Sequence, residues 1–316
     1  MNTGLTGYAL RRLLWTVPVL FAVSVIVFYI LRLAPTSPVD SILGTNFTEE
    51  QAARLRQKYG YDEPIHIQYF KYMQNLFQGD PGVSVKYRDF SMKEVVFDKM
   101  WISFRLNVVA VLITFGLGIP IGIYAALARG TFVDPLTIGF WLLLDAIPVF
   151  VMAPLLSWLL AIKFQFVSLS FDGLASPNII LPIVIMSLPG VAGVARFMRA
   201  SVLSVIGEDY VRTARAKGLR NSTVVMTHIT RNALLPMVTV VGLTLPALAG
   251  GSLFVEQAFG IPGIGQQAFE AALTPDYDVI LVIVLFGSTL FVLANVLVDL
   301  VYGLIDPRVR VGRTRG

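Results

Sequence analysis

With 316 residues, 55% of them hydrophobic, and a mean hydropathy of +0.71, the chain is too apolar for a water-soluble domain and falls among multi-span membrane proteins. Its net charge of +5 comes from basic residues placed mostly in loops beside apolar runs, a pattern of membrane orientation rather than of nucleic-acid binding. It has no cysteine, which excludes disulfides, a thiolate nucleophile and cysteine-ligated metal, and its two histidines, His66 and His228, have no metal-ligand spacing.

Arg11 and Arg12 precede an uncharged run from Leu13 to Leu31, long enough to cross a bilayer as a helix. Basic residues before an apolar run also mark a signal peptide. This run is longer than a signal core and no small-x-small site follows it, so an anchoring helix is expected. Residues 32–103 then read as a small extramembrane insert. Thr48 and Gln51 stand at capping-box spacing, Gly60 stops that helix, and Ile65 to Phe77 makes a second, aromatic-rich one before the turn Gly79-Asp80-Pro81-Gly82. Five more apolar runs follow: Leu106 to Leu127, Leu136 to Ile162, Ile179 to Ile206, Ala233 to Val255 and Val279 to Ile305. Six spans are therefore expected, 1–31 holding the first and 104–305 a five-helix core. Asn107 and Asn295 inside spans are expected to bond between helices.

The short loops set the orientation. Arg129, the cluster from Arg196 to Arg231, and Arg308, Arg310, Arg313 and Arg315 in the tail 306–316 fall on one side. The loops around Ser168 and from Glu256 to Asp278 hold almost no positive charge, Lys163 excepted. Both termini are then cytosolic and the insert is external. No internal repeat supports an inverted-repeat transporter.

One stretch stands out among the apolar segments, Gly207 to Pro236, with a polar loop at 207–232. Glu208 and Asp209 open a helix that Arg212, Arg215 and Lys217 close, the order that suits a helix dipole. Gly218 supplies the stop. Tyr210, Val211, Ala214 and Leu219 share one face and Arg212 and Arg215 the other, and the small Ala214 leaves room for a partner's backbone. A short helix of this kind between spans is suited to being gripped from the cytosol; the bland alternative is a basic loop that only orients the chain.

These residues resemble the inner-membrane permease subunits of ATP-binding-cassette importers, in the B-type form of oligopeptide, dipeptide and nickel systems. Asp209-Tyr-Val-Arg-Thr-Ala-Arg-Ala-Lys-Gly-Leu219, running on to Arg231-Asn-Ala-Leu-Leu-Pro236, looks like the peptide-family form of the EAA loop. Phe259-Gly-Ile-Pro-Gly-Ile-Gly265 is similar to the FGxPGxG signature. Leu55-Arg56-Gln57-Lys58-Tyr59-Gly60 and Gly79-Asp80-Pro81-Gly82-Val83-Ser84 resemble the B-type insert. Arg212-Thr213-Ala214 replaces the Glu of the general motif, the Gly218-to-Pro236 spacing is longer than in it, and Ala34-Pro-Thr-Ser-Pro-Val-Asp40 stands where Pro-Gly-Asp-Pro is frequent. The substrate subclass stays open on that account.

The resemblance implies an all-α type I importer permease fold in a bacterial inner membrane. It implies a C-type permease as the other half of the pathway, two ATPase subunits that carry ATP and magnesium, and an extracytoplasmic binding protein. Asp209, Tyr210, Arg212, Ala214, Arg215, Lys217, Gly218 and Leu219 would couple to the ATPase. Phe259, Gly260, Pro262, Gly263 and Gly265 would face the binding protein. The chain has no GxxxxGK(S/T) phosphate loop, so ATP hydrolysis by that route, a resident cofactor, a metal and a catalytic residue are not expected in it. Asp145, an acid within a span, reads either as a pathway residue or as a structural acid paired with Arg196. A stand-alone ion- or proton-coupled carrier is the rival reading, with Asp145 its one candidate. No Ser-His pair, acid pair or zinc set supports an intramembrane hydrolase.

Overall fold

The computed structural model describes residues 5–34, 39, 48–84, 86–87 and 90–305. The basic tail at 306–316 and most of the Pro35–Asp40 stretch lie outside the described residues. Every regular element among the described residues is helical. The helices are α1 (Leu5–Arg32), α2 (Glu49–Tyr59), α3 (Ile65–Phe77), α4 (Asp98–Leu127), α5 (Val133–Asp145) and α6 (Val149–Ser157). They continue with α7 (Ile180–Val205), α8 (Asp209–Ala216), α9 (Leu235–Thr244), α10 (Leu253–Ala258), α11 (Ile264–Leu273) and α12 (Tyr277–Ile305).

Among the described residues, four stretches are single helices long and apolar enough to cross a membrane: Arg12–Arg32, Lys93–Leu127, Pro177–Val205 and Tyr277–Val298. Two further runs are broken. Val133–Asp145 and Val149–Lys163 meet at 92°, and Asn221–Ala233 and Leu235–Ala249 at 48°. Leu136–Ile162, expected as one span, is therefore bent in its middle, whereas Ala233–Val255 is bent only at its first residues and its helix ends at Ala249. Proline accounts for both breaks: at Pro148 it pushes the residue before it out of the helical region, and at Pro236 it removes an N–H from the helical bonding across the junction. Pro148 adopts extended backbone (φ −57°, ψ 141°) directly before α6, and Pro236 lies in the first turn of α9. The second boundary difference is at α4. Its helix already begins in a π-helical turn at Lys93, so the last part of the expected insert is the foot of a span.

The chain forms two compact units, one made of 1–103, 249–253 and 262–316, the other of 104–248 and 254–261. In the first unit, α1 packs along α12 and against α3. Phe28 and Tyr69 meet edge to face at 5.4 Å, and Ser24 Oγ lies 2.8 Å from the Tyr69 hydroxyl. Arg32, at the end of α1, sets its guanidinium over Phe28, Tyr61 and Tyr277 at 5.0, 4.6 and 5.9 Å. Helix α2 starts at Thr48, whose N–H donates to Gln51 Oε1 at 3.1 Å, and ends at Gly60 with φ +69°.

In the second unit, α4 and α7 come together through glycine. A Cβ on Gly118 would lie 2.7 Å from Val194 Cβ, and one on Gly122 would strike the Ala195 carbonyl oxygen and Met198 Cβ, the latter at 2.7 Å. Glycines four apart on one helix are the pattern that permits such close approach. Thr114 donates to the Ser187 carbonyl at 3.3 Å and fills the notch left by Gly190. Asn295 bonds to Phe291 of its own helix at 2.9 Å, not across helices as expected. Asn107 reaches the Leu248 carbonyl at 3.4 Å.

Candidate functional site: a basic helix seated on the second unit

Helix α8 is eight residues long and carries the expected order of charge, Asp209 in its first turn and Arg215 in its last. Its inner edge is Val211 (0% exposed) and Ala214 (4% exposed), one turn apart. Both enter a cluster with Ala126 of α4, Val194, Met198 and Val202 of α7, and Val224, Ile229, Ala233 and Met237. Burying a valine side chain stabilises by about 1.5–3 kcal/mol, so Val211 is the peg of this seat. Ser201 Oγ donates to the Ala233 carbonyl at 2.7 Å and fastens α7 to the segment after α8.

The seat changes the reading of Ala214. Its small side chain faces the chain's own core, so it does not leave room for a partner. Tyr210 and Leu219, expected to share its face, lie exposed on either flank. Arg212, Arg215 and Lys217 point to solvent with Asp209. Arg212 lies 3.5 Å from Asp209, but both side chains are so exposed that the pair contributes little. Gly218 ends the helix at φ +73°, and its N–H donates to the Arg215 carbonyl at 2.9 Å. A rigid apolar seat with a basic outer face is the result.

Two ion pairs join α5 to α7 behind it. Arg199 grips Asp134 in a two-pronged fork, Nε to Oδ1 and Nη2 to Oδ2, each 2.6 Å. Sequence reasoning missed this pair because Arg199 was absorbed into the count of cytosolic positive charge; the signal was an acid and a base at the ends of successive apolar runs. Arg196 Nη2 meets Asp145 Oδ2 at 3.1 Å, the partner that the structural reading of Asp145 named. Asp145 closes α5, where the helix dipole disfavours a carboxylate, and Arg196 offsets that cost.

The Phe259–Gly265 signature is largely turned inward. Phe259 is 2% exposed, Ile261 and Gly263 are buried, Pro262 and Gly265 are half-buried, and Gly260 is exposed at φ +59°. Phe259 and Ile261 floor a hollow with Ile179 and Pro182, rimmed by Ser170, Asp172 and Asn178. That rim is tied together: Asn178 Nδ2 donates to Asp172 at 2.7 Å and Ser170 Oγ to the same carboxylate at 2.9 Å.

In the first unit, Ser84, Lys86 and Tyr87 are clamped to α11 and to the residue before α12. Ser84 donates to Asp276 at 2.6 Å, the Tyr87 hydroxyl to Glu270 at 2.7 Å, and Lys86 Nζ to Glu270 at 3.0 Å. Burial would raise the Glu270 carboxyl, but the bonds from Tyr87 and Lys86 outweigh it and hold it below the usual range. The bond to Glu270 raises Lys86, and burial followed by the same bond raises Tyr87. A depressed carboxyl stabilises above its unfolded pKa of about 4.3 and is lost as pH falls through its folded value; a raised lysine stabilises below about 10.4 and is lost as pH rises. The difference in thermal midpoint between wild type and Glu270→Gln should therefore be constant from about pH 5.5 to about pH 9 and shrink below about pH 4. A difference that does not change on acidification would contradict the clamp.

Comparison with known proteins decides the family. Residues 118–311 match the binding-protein-dependent transport system inner membrane component, and residues 5–100 match the N-terminal family of the same systems. The chain belongs to this permease family. The permease is 36% identical to the oligopeptide transport system permease protein OppB of Haemophilus influenzae, over 96% of its own length and 99% of that protein. It is likewise 36% identical to OppB of Salmonella typhimurium, with the same two coverages. The oligopeptide transport permease AppB of Bacillus subtilis is 29% identical over 96% of this permease and 99% of that protein. A solved structure of the inward-facing MetNI methionine ABC transporter shares the fold, with a TM-score of 0.50 at 19% identity, over 71% of this permease and 98% of that chain. The permease is thus a multi-pass inner-membrane subunit of an ATP-binding-cassette importer.

Proposed function

We propose that this permease forms half of the pathway of a peptide importer and receives its work through α8 from separate ATPase subunits. The observation that carries the reading is the two-sided α8, with Val211 and Ala214 fixed in the core and Arg212, Arg215 and Lys217 outside. A groove that closes on this face drives α4 and α7 through the shared core, since packed interiors transmit displacement rather than absorb it. Acidic residues on the groove would meet the arginines. Peptides are the proposed cargo because the oligopeptide permeases are similar over their full length. A C-type permease would supply the other half and an extracytoplasmic protein the solute.

In this reading each bent run is one span, six in all, and the basic loops beside the spans lie in the cytosol with both ends of the chain and α8, leaving α2, α3 and α11 outside. ATP and magnesium then belong to the motor subunits, and this permease performs no covalent chemistry. Asp145, held by Arg196, serves structure in this reading and is not required as a proton carrier.

Gly218→Trp tests the proposal. A side chain at φ +73° strains the backbone by about 1–3 kcal/mol, and the bulk sits on the outer flank of the seat. Peptide uptake driven by ATP is expected to fall at least about tenfold while membrane insertion stays normal. Unchanged uptake would overturn it.

A further inference from the structure

Helix α3 sits deeper against α1 than a helix in water beyond the membrane would. Its Tyr69 ring meets Phe21 and Phe28 of α1 edge to face, at 6.4 and 5.4 Å, and its hydroxyl lies 2.8 Å from Ser24 Oγ. All three α1 residues belong to the membrane-crossing stretch Arg12–Arg32. Ser24 stands more than two turns below Arg32, about 12 Å along a helix, so the Tyr69 hydroxyl reaches hydrocarbon depth. The opposite side of α3 looks the other way. Gln68 Nε2 donates to the Tyr61 and Glu63 carbonyls at 3.1 and 2.7 Å, and Lys71 Nζ meets Glu63 Oε1 at 2.5 Å. The Tyr61 ring lies 4.6 Å from the Arg32 guanidinium, at the end of the span.

The residues of α3 divide along the same line. His66, Phe70, Met73 and Phe77 recur at helical spacing on the flank beside Tyr69, and Gln68, Lys71 and Asn75 recur on the flank opposite. Phe70 and Phe77 are 68% and 84% exposed. His66, in the first turn, is the one polar residue of the apolar stripe, and its ring has an apolar body with a polar tip.

We propose that α3 lies in the membrane interface, in the leaflet on the insert's side. Phe70, Met73 and Phe77 then sit among the acyl chains, and Gln68, Lys71 and Asn75 turn toward headgroups and water. This goes beyond the importer reading and does not depend on which side of the membrane the insert occupies. Lipid is the occupant because the stripe faces the way Tyr69 does, and α1 fixes the depth of Tyr69. A helix with this pattern rests with its apolar face about 5–10 Å into the boundary between headgroups and chains. Tyr69 fastens α3 to the span, and the stripe fastens it to lipid.

Because the chain has no cysteine, one introduced cysteine carries one spin label per permease. Phe70→Cys, Phe77→Cys, Lys71→Cys and Asn75→Cys are each labelled with a nitroxide. The complete importer, its other subunits made cysteine-free, is placed in vesicles of phosphatidylethanolamine and phosphatidylglycerol. All four positions are exposed, so the label leaves the packing on α1 intact. Collisions with oxygen, which concentrates among the chains, are compared with collisions with a water-soluble nickel chelate. The oxygen-to-nickel ratio is expected to be at least about tenfold higher at the two phenylalanine positions than at the lysine and asparagine positions, since hydrocarbon excludes a polar chelate. Equal ratios on the two flanks would put α3 in water and overturn the proposal. Phenylalanine positions shielded from both reagents would show a protein surface on the stripe, and would overturn it as well.

Discussion

Replacing Gly122 with alanine is expected to leave little folded protein in detergent, while the same change at Gly116 is expected to be harmless. Both glycines lie in α4, two turns apart at most, and a helix-propensity scale would score each change as a gain of about 0.5–1 kcal/mol. Surroundings reverse the sign at one of them. A Cβ on Gly122 meets the carbonyl oxygen of Ala195, Met198 Cβ at 2.7 Å and the Arg199 nitrogen at 3.0 Å. Two of those atoms are backbone of α7 and cannot turn away. Gly116 has nothing within 4 Å of that position. Overpacking of this kind costs about 3 kcal/mol when backbone must move, well beyond the propensity gain. The monodisperse fraction on size exclusion and the thermal midpoint read the result. A Gly122→Ala protein as stable as Gly116→Ala would contradict the packing of α4 on α7.

The second large effect is expected at the Asp134–Arg199 fork. Asp134 is buried at the first turn of α5, where the dipole favours it, and both its oxygens accept from Arg199 at 2.6 Å. Arg199→Met leaves that carboxylate buried and unpaired, which costs about 3–5 kcal/mol. Asp134→Asn together with Arg199→Met removes both charges and should recover much of the loss. A thermal double-mutant cycle measures this: a large coupling energy is expected, and additive single effects would contradict the fork. Asp145→Asn offers the contrast. Its bond to Arg196 is a single one of 3.1 Å between more exposed side chains, and its loss should cost less than about 1 kcal/mol.

The spans could be read from the chain because a lipid interior demands long uncharged runs, and α1, α4, α7 and α12 coincide with such runs. The two bends were harder. Pro148 and Pro236 are visible in the sequence, yet prolines also sit inside unbroken α1, α4 and α7 at Pro18, Pro120 and Pro189. Whether a proline bends or breaks a helix depends on what surrounds it, which periodicity does not report.

For α8, charge order and the Gly218 stop located the helix and its face of small apolar residues. They did not say which way that face turned. Val211 and Ala214 face inward only because α4 and α7 present a matching hollow. Phe259 and Ile261 turned in for the same reason. Among long-range pairs, Arg196 was named as a partner for Asp145, but Asp134 with Arg199 was not, because such a pair is set by which helices pack together and each residue alone reads as ordinary span-end charge.

The most direct test of the account is to purify the tagged permease gently from its native membrane and assay bound ATPase, with Arg212→Glu plus Arg215→Glu alongside. Both arginines are exposed, so the doubly changed protein should fold and insert. The account predicts that ATPase subunits accompany the wild type and are lost from the reversed-charge protein. A single chain that carries no ATPase, moves solute against an ion gradient and ignores the change at α8 would contradict it.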